Sequence, residues 1–131
     1  MNEATNAKPK SIILTTGMFD LLKDQIRRKK LSRFNEEKLI EQLKDAQQVL
    51  RNQLPGNIVD INTRVQLTEL KSSETLTFTF VAPEKARRKN KTDSILSSMG
   101  LALIGYPEGA NIPWETSDGV KEYKIEKVFA L

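Results

Sequence analysis

The stretch from Arg64 to Phe80 decides the fold and reads RVQLTELKSSETLTFTF. Apolar side chains alternate with polar ones on both sides of its middle, at Val65, Leu67, Leu76, Phe78 and Phe80. An apolar residue at every second position turns one face of a strand toward a core and the other toward solvent. Between the two runs, residues 71–74 are polar. The stretch therefore predicts a β-hairpin.

The strand pattern continues outward from this hairpin. Residues 58–61, with three apolar side chains, predict the beginning of the strand region, and residues 112–114 predict a later strand. Residues 117–119, Ser-Asp-Gly, predict a turn into a last strand over residues 120–129. Val128 breaks the alternation in that strand, as happens at a β-bulge.

A single helix is expected inside this strand-rich part. Residues 98–104 predict a short helix, and Gly105 is suited to close it. The expected assembly is a small antiparallel sheet wrapped on that helix.

The first part of the chain has a helical pattern instead. Thr15 or Thr16 is suited to cap a helix reaching about residue 30, and Asn35 to cap a second helix. The apolar residues of the first helix recur at helical spacing: Met18, Phe19, Leu22 and Ile26. Those of the second step almost as in a heptad: Leu39, Leu43, Ala46, Leu50 and Leu54. We expect a short antiparallel helical hairpin, coiled-coil-like in its packing, and an α+β fold overall.

Composition and charge divide the chain at Pro55-Gly56, a pair that ends helices and favours turns. Residues 1–10 are expected to be a disordered leader, residues 11–55 the hairpin and residues 56–131 an α+β domain. The net charge of +4 lies entirely in the part before the boundary, which has 11 basic and 7 acidic residues. The remainder is balanced.

The 131 residues include neither histidine nor cysteine. Their absence excludes disulfides, thiolate or imidazole metal ligands, cysteine nucleophiles and histidine acid–base catalysis. Since no run approaches the roughly 20 apolar residues of a membrane helix, we expect a cytoplasmic protein.

Few groups remain that can carry chemistry. Glu36 and Glu37, near the hairpin tip, are a pair of carboxylates of the kind that holds a metal or acts as acid and base. Adjacent helix residues point about 100° apart, so a dipole-compensating role in the first helical turn is the favoured interpretation. The basic clusters, residues 27–33 and 85–91, suit phosphates or an acidic protein surface.

Several segments together resemble a known family. Residues 57–65, 80–84, 99–105, 112–115 and 126–128 are similar, in order and spacing, to the C-terminal domain of the bacterial Gre transcript-cleavage factors. The closer likeness is to the Rnk group, the regulators of nucleoside diphosphate kinase, which also have a brief helical part before this domain. The resemblance covers about residues 11–131.

This resemblance implies a factor that binds bacterial RNA polymerase. It implies an FK506-binding-protein-like domain that docks at the rim of the secondary channel, on the largest catalytic subunit, and a helical hairpin that points inward. Gre factors have a spaced acidic pair at the hairpin tip that helps hold magnesium for transcript cleavage. The tip of this chain is basic, and its residues are Ser32, Arg33, Phe34, Asn35, Glu36 and Glu37. The resemblance therefore implies a noncatalytic protein that competes with Gre factors, without cofactor or metal.

The docking region follows from the same resemblance. Where Gre factors have Asp-Ser-Pro before the short helix, this chain has Leu96-Ser97-Ser98. We expect the docking residues to be Leu96, Ser97, Ser98, Met99 and Gly100, supported by Arg87 and Arg88 of the basic loop.

Two alternatives remain open from the sequence. One is a prolyl isomerase on the same fold, which requires an apolar pocket lined by aromatic residues. The other is direct nucleic-acid binding through the two basic clusters, with Phe34 the one aromatic residue among the charges. In the favoured interpretation the protein is a monomer, meets nucleic acid only through the polymerase and does not bind membranes.

Overall fold

The computed structural model describes residues 11–131, so the predicted leader of residues 1–10 lies outside the described residues. In chain order the elements are β1 (Ile13–Thr15), α1 (Thr16–Arg27), α2 (Arg33–Lys44), β2 (Gln47–Val49), β3 (Thr63–Glu69), β4 (Thr75–Val81), β5 (Asp93–Ser94), α3 (Ser98–Leu103), β6 (Asn111–Thr116) and β7 (Gly119–Ala130). The α+β class is confirmed. Within this described range, no helix is both long enough and apolar enough to cross a bilayer.

The hairpin expected from residues 64–80 is confirmed as β3 and β4. The two strands pair antiparallel, with Val65 opposite Phe78 and Leu67 opposite Leu76. Val65 and Leu67 are fully buried, while Phe78 is half-buried and its ring stacks on Phe80 with centroids 5.6 Å apart. The alternation therefore indicates which face of the hairpin meets the core.

The main sheet has five strands in the order β5-β4-β3-β7-β6. All pairs are antiparallel except β4 with β5, a parallel pair that the sequence did not predict. The predicted bulge is confirmed: Gln66 pairs with Lys127 and Leu67 with Ile125, so Glu126 is the extra residue. This insertion shifts the alternation and turns Val128 inward.

Residues 58–61 do not form the predicted strand. Ile58 makes an isolated bridge to Pro107, and Val59 exchanges backbone hydrogen bonds with the chain just after α3. A turn then reverses the backbone before β3, because the Thr63 hydroxyl donates to the Asp60 carbonyl at 2.7 Å and Asn62 has a φ of 62°. Ile58 and Val59 are buried and Ile61 is half-buried, but in a loop and not in a strand.

The helical hairpin forms, with three differences from the prediction, one of which is that α1 ends at Arg27 and not near residue 30. Thr15 caps α1, as expected, through its hydroxyl and the Met18 N–H. The cap of α2 is Ser32, whose hydroxyl accepts from the Asn35 N–H, and not Asn35 itself. The second helix also ends at Lys44, ten residues before Leu54, the last residue of the predicted heptad pattern.

Beyond Lys44 the chain forms a strand because it pairs with residues far away in sequence. β2 lies parallel to β1, with Ile13 opposite Gln47, and the Gln47 N–H donates to the Ile12 carbonyl at 3.0 Å. Leu50, predicted to continue the helical seam, is 65% exposed. The coiled-coil-like extension of the second helix was therefore wrong.

One hydrophobic core joins the hairpin to the sheet. It contains Ile12, Leu14, Leu22 and Leu39 from residues before Pro55-Gly56, together with Trp114 and other residues after that pair. The hairpin therefore packs against the sheet. The division at Pro55-Gly56 stays a prediction.

The tip of the hairpin is attached to the sheet edge by one side chain. The Asn35 amide donates to the Glu115 carbonyl at 3.0 Å and accepts from the Glu115 N–H at 2.8 Å. Asn35 thereby satisfies both backbone groups of Glu115 in β6, the edge strand of the sheet, as a neighbouring strand would.

We expect Asn35→Ala to lower the free energy of unfolding by about 1–3 kcal/mol, because both backbone groups of Glu115 lose a partner. Asn35→Asp should be destabilising too, since a carboxylate cannot donate to the Glu115 carbonyl. Urea denaturation measures the effect, with the exposed Asn52→Ala as a matched control. Unchanged denaturation midpoints for both Asn35 variants would contradict this attachment.

Gly100 packs directly against the backbone of Ile95. A Cβ at this position would lie 2.2 Å from the Ile95 carbonyl oxygen, and backbone cannot move aside as a flexible side chain can. We expect Gly100→Ala to cost about 1–3 kcal/mol through overpacking. Gly17→Ala in α1 has open space and should stabilise by up to about 1 kcal/mol. Thermal and urea unfolding of both variants check the opposite signs.

Candidate functional site

The predicted docking residues form the turn before α3 and its first helical turn. The Ser97 hydroxyl accepts from the Gly100 N–H at 3.3 Å and caps α3. The helix is therefore capped although Ser98 replaces the proline of the Asp-Ser-Pro sequence described above. Leu96 and Met99 are half-buried against the core, while Ser98 is exposed. Gly100 is buried, so it shapes this surface from below.

The basic loop lies beside this turn. It leaves the sheet at Val81 and returns at Asp93, and the parallel pairing of β4 with β5 sets Val81 opposite Ser94, only two residues before Leu96. The strand pairing thus brings the base of the basic loop close to the docking turn that this loop was expected to support. The loop and the turn form what we call the α3 surface, defined as residues 84–92 and 96–99.

The cations of this loop are not equivalent. The Arg87 guanidinium donates to the carbonyls of Glu84 at 3.0 Å and Ala86 at 2.8 Å, and the Arg87 backbone N–H donates to the Thr92 hydroxyl. Arg87 therefore holds the loop in shape. Arg88 and Lys89 are exposed and occupy a short 3₁₀ turn, where they face solvent.

The carboxylates of the hairpin tip are paired with its cations. Lys29 Nζ lies 3.1 Å from Glu36 Oε2, and Arg33 Nε lies 3.1 Å from Glu37 Oε2. Such exposed pairs contribute little stability, yet they offset the charge that would attract a cation. Within residues 11–131 no group of three or more acidic side chains is placed to hold a metal ion.

Sequence reasoning missed Lys38, which lies next to Trp114, the residue that donates a hydrogen bond to Ser98 of the α3 surface. Its ammonium is 5.0 Å from the ring centroid of Tyr106 and 5.2 Å from that of Trp114, within the range of cation–π attraction. It also makes long hydrogen bonds of 3.4 Å to the Tyr106 hydroxyl and the Ala102 carbonyl. Both rings are fully buried, so they do not line an open pocket of the kind an isomerase requires.

Lys38 connects the hairpin to α3 through Trp114. The Trp114 indole N–H donates to the Ser98 hydroxyl at 2.9 Å, and Ser98 is the first residue of α3. The available sequence signal was weak: Lys38 is three residues after Asn35 and so shares its helix face. That face is recognised as buried only once the partner strand β6 is known.

Burial lowers the pKa of Lys38 from 10.5 to about 7. Between these values the unfolded chain binds more protons than the folded chain, so stability rises with pH, by up to about 1.4 kcal/mol per pH unit. The cost of burying Lys38 is thus greatest below pH 7. We expect the free energy of unfolding of the wild type to rise toward that of Lys38→Met between pH 7 and 9.

Urea denaturation at several pH values measures this trend. Lys38→Arg is the control, because arginine stays charged throughout and should lack the pH-dependent gain. A constant difference between the wild type and Lys38→Arg would show that the lysine remains charged in the folded protein.

Comparison with known proteins identifies the class to which this fold belongs. Residues 54–129 match the model described as transcription elongation factor GreA/GreB, C-terminal. This match covers more than half of the 131 residues, and the chain belongs to the GreA/GreB family.

Individual relatives agree with that assignment. The chain is 33% identical over 79 residues to the regulator of nucleoside diphosphate kinase of Escherichia coli K12, covering 60% of this chain and 58% of the relative. It is 30% identical over 83 residues to transcription elongation factor GreA of Clostridium acetobutylicum, covering 63% and 52%. The matches thus span little more than half of these curated relatives.

Solved structures extend the similarity to the hairpin. The prokaryotic transcription elongation factor GreA/GreB from Nitrosomonas europaea matches 92% of this chain and 98% of its own, with 26% identity and a TM-score of 0.62. Thermus aquaticus Gfh1 covers 92% and 99%, with 17% identity and a TM-score of 0.52. The second likeness concerns the fold alone.

Proposed function

We propose that this protein is a noncatalytic factor that binds bacterial RNA polymerase at the rim of the secondary channel and modulates elongation by competing with Gre factors. The observation that carries the proposal is the α3 surface, where the pairing of Val81 with Ser94 brings the base of the loop with the exposed Arg88 and Lys89 close to the turn that contains Leu96 and Met99. Family membership supplies the class of partner, since relatives are named as elongation factors.

The chemistry of the α3 surface suits a protein partner with acidic groups. Apolar side chains flanked by cations are typical of an interface with a dry centre and a charged rim. Arg87 keeps the loop rigid through its backbone hydrogen bonds, so less conformational entropy is lost on binding. The proposed contacts need no chemical step, only a preformed surface.

The contacts of the hairpin tip favour docking without transcript cleavage. Glu36 and Glu37 are each paired with a tip cation, and Asn35 attaches the tip to the sheet edge. A tip held in this way does not present two free carboxylates to a metal ion. We also propose that residues 56–131 have a fold like that of the FK506-binding proteins and that this fold is the scaffold for docking. The prolyl isomerase alternative is not supported, because Tyr106 and Trp114 are fully buried and line no open pocket.

Binding to purified core RNA polymerase tests the proposal directly. We expect Arg88→Glu/Lys89→Glu to lower the affinity about tenfold or more, because like charges then oppose an acidic surface. Met99→Ala should also weaken binding, through lost apolar contact. Lys71→Glu is the matched control: it lies in the β3–β4 loop, at the other end of a seven-residue strand about 20 Å long.

Two results would overturn the proposal. The first is an absence of binding to core enzyme, and the second is binding that excess GreA does not displace. Transcript cleavage by stalled polymerase that is stimulated by this protein and lost in Glu36→Gln or Glu37→Gln would contradict the noncatalytic role.

A further inference from the structure

A second surface lies between the two helices of the hairpin. Phe19 and Ile26 of α1 and Ile40 and Leu43 of α2 form an apolar floor, in an open groove of about 540 Å³. Phe19, Ile26 and Leu43 are half-buried, and Ile40 is 36% exposed. These residues are distinct from those of the α3 surface.

The rim of this groove is basic. Its polar lining consists of Lys23, Arg27, Lys29 and Lys44, of which Lys29 pairs with Glu36 and Lys44 with Glu41 outside the groove lining. Within residues 11–131, Lys23 and Arg27 form no ion pair with a carboxylate. The Lys23 ammonium instead lies 5.6 Å from the centroid of the Phe19 ring.

The two helices that bound the groove are long enough to hold a helical segment of a partner. Each bounding helix has 12 residues, which at 1.5 Å per residue is about 18 Å. Amphipathic helices bind such grooves by placing apolar side chains, spaced by three or four residues, on the floor. A basic rim selects a helix whose remaining face is acidic, because opposite charges attract across the edge of the interface.

We propose that this groove binds an acidic amphipathic helix of a partner protein. This binding site is independent of the polymerase docking proposed for the α3 surface. The floor favours such a helix over nucleic acid, since three of its four side chains are aliphatic and Phe19 alone offers a ring on which a base can stack. Aliphatic side chains instead match the leucine-like anchors of a helix.

Fluorescence anisotropy with a labelled synthetic helix tests the proposal. The probe has about 14 residues, with leucine on one face and glutamate on the other, so that it spans the groove. We expect saturable binding to the wild type. Lys23→Glu/Arg27→Glu should weaken binding about tenfold or more, through charge repulsion at the rim. Ile40→Asp should weaken it as well, by placing a charge on the floor.

The controls match these substitutions in kind. Leu21→Asp changes another exposed apolar residue of α1, 42% exposed and outside the groove, and Arg88→Glu/Lys89→Glu changes cations of the α3 surface. Both should bind the probe as the wild type does. Circular dichroism and urea denaturation establish that each variant is folded.

Four outcomes would overturn the inference. One is equal affinity in the wild type and Lys23→Glu/Arg27→Glu, and another is equal binding of a probe with lysine in place of glutamate. A third is displacement of the probe by a single-stranded RNA of the same charge, which would assign the groove to nucleic acid. The fourth is self-association in sedimentation equilibrium that Lys23→Glu/Arg27→Glu abolishes, which would assign it to a second copy of the chain.

Discussion

The pairing of the Asn35 amide with the Glu115 backbone connects the two parts of this structure. An edge strand leaves backbone donors and acceptors open, and in this protein one side chain supplies partners for both groups of one residue. Because Asn35 lies in the first turn of α2, this contact also sets where that helix begins along β6. The Lys38 ammonium then lies close to the ring of Trp114, and Leu39 is buried in the core.

The base of the hairpin is fixed by a different kind of contact. β1 and β2 pair through their backbones, and the Ile13 N–H donates to the Gly105 carbonyl at 3.0 Å, directly after α3. A Cβ on residue 105 would come within 2.8 Å of the Ile12 side chain, which explains why glycine occupies this position. The hairpin is thus held at its base by the backbone and at its tip by one amide, leaving the groove between its helices open to solvent.

The sequence was most informative where structure is decided locally. The alternation of Val65, Leu67 and Phe78 predicted a hairpin because strand faces repeat every two residues. The bulge before Val128 was visible as a change of phase in the same pattern. By contrast, the end of α2 was mispredicted, because β2 pairs with β1 at a distance of 34 residues and this pairing outweighs helical periodicity. The parallel pair of β4 and β5 was missed because it too joins segments that are distant in the sequence.

At the candidate site, the turn before α3 was located from resemblance, but its nearness to the basic loop follows from a strand pairing that no local pattern encodes. Lys38 was missed because a lysine in a helix is ordinarily solvated, and its burial depends on two rings that lie 68 and 76 residues further along the chain.

The Asn35–Glu115 contact spans 80 residues, and that separation orders the events of synthesis and folding. The hairpin leaves the ribosome first, but the strand that receives Asn35 and the carbonyl that receives Ile13 belong to the last third of the chain. Closing so long a loop costs entropy before any contact offsets it. The apolar face of the hairpin, with Leu22 and Leu39, therefore stays uncovered until residues 105–115 have emerged. During that interval the nascent chain exposes the apolar surface that it will later bury.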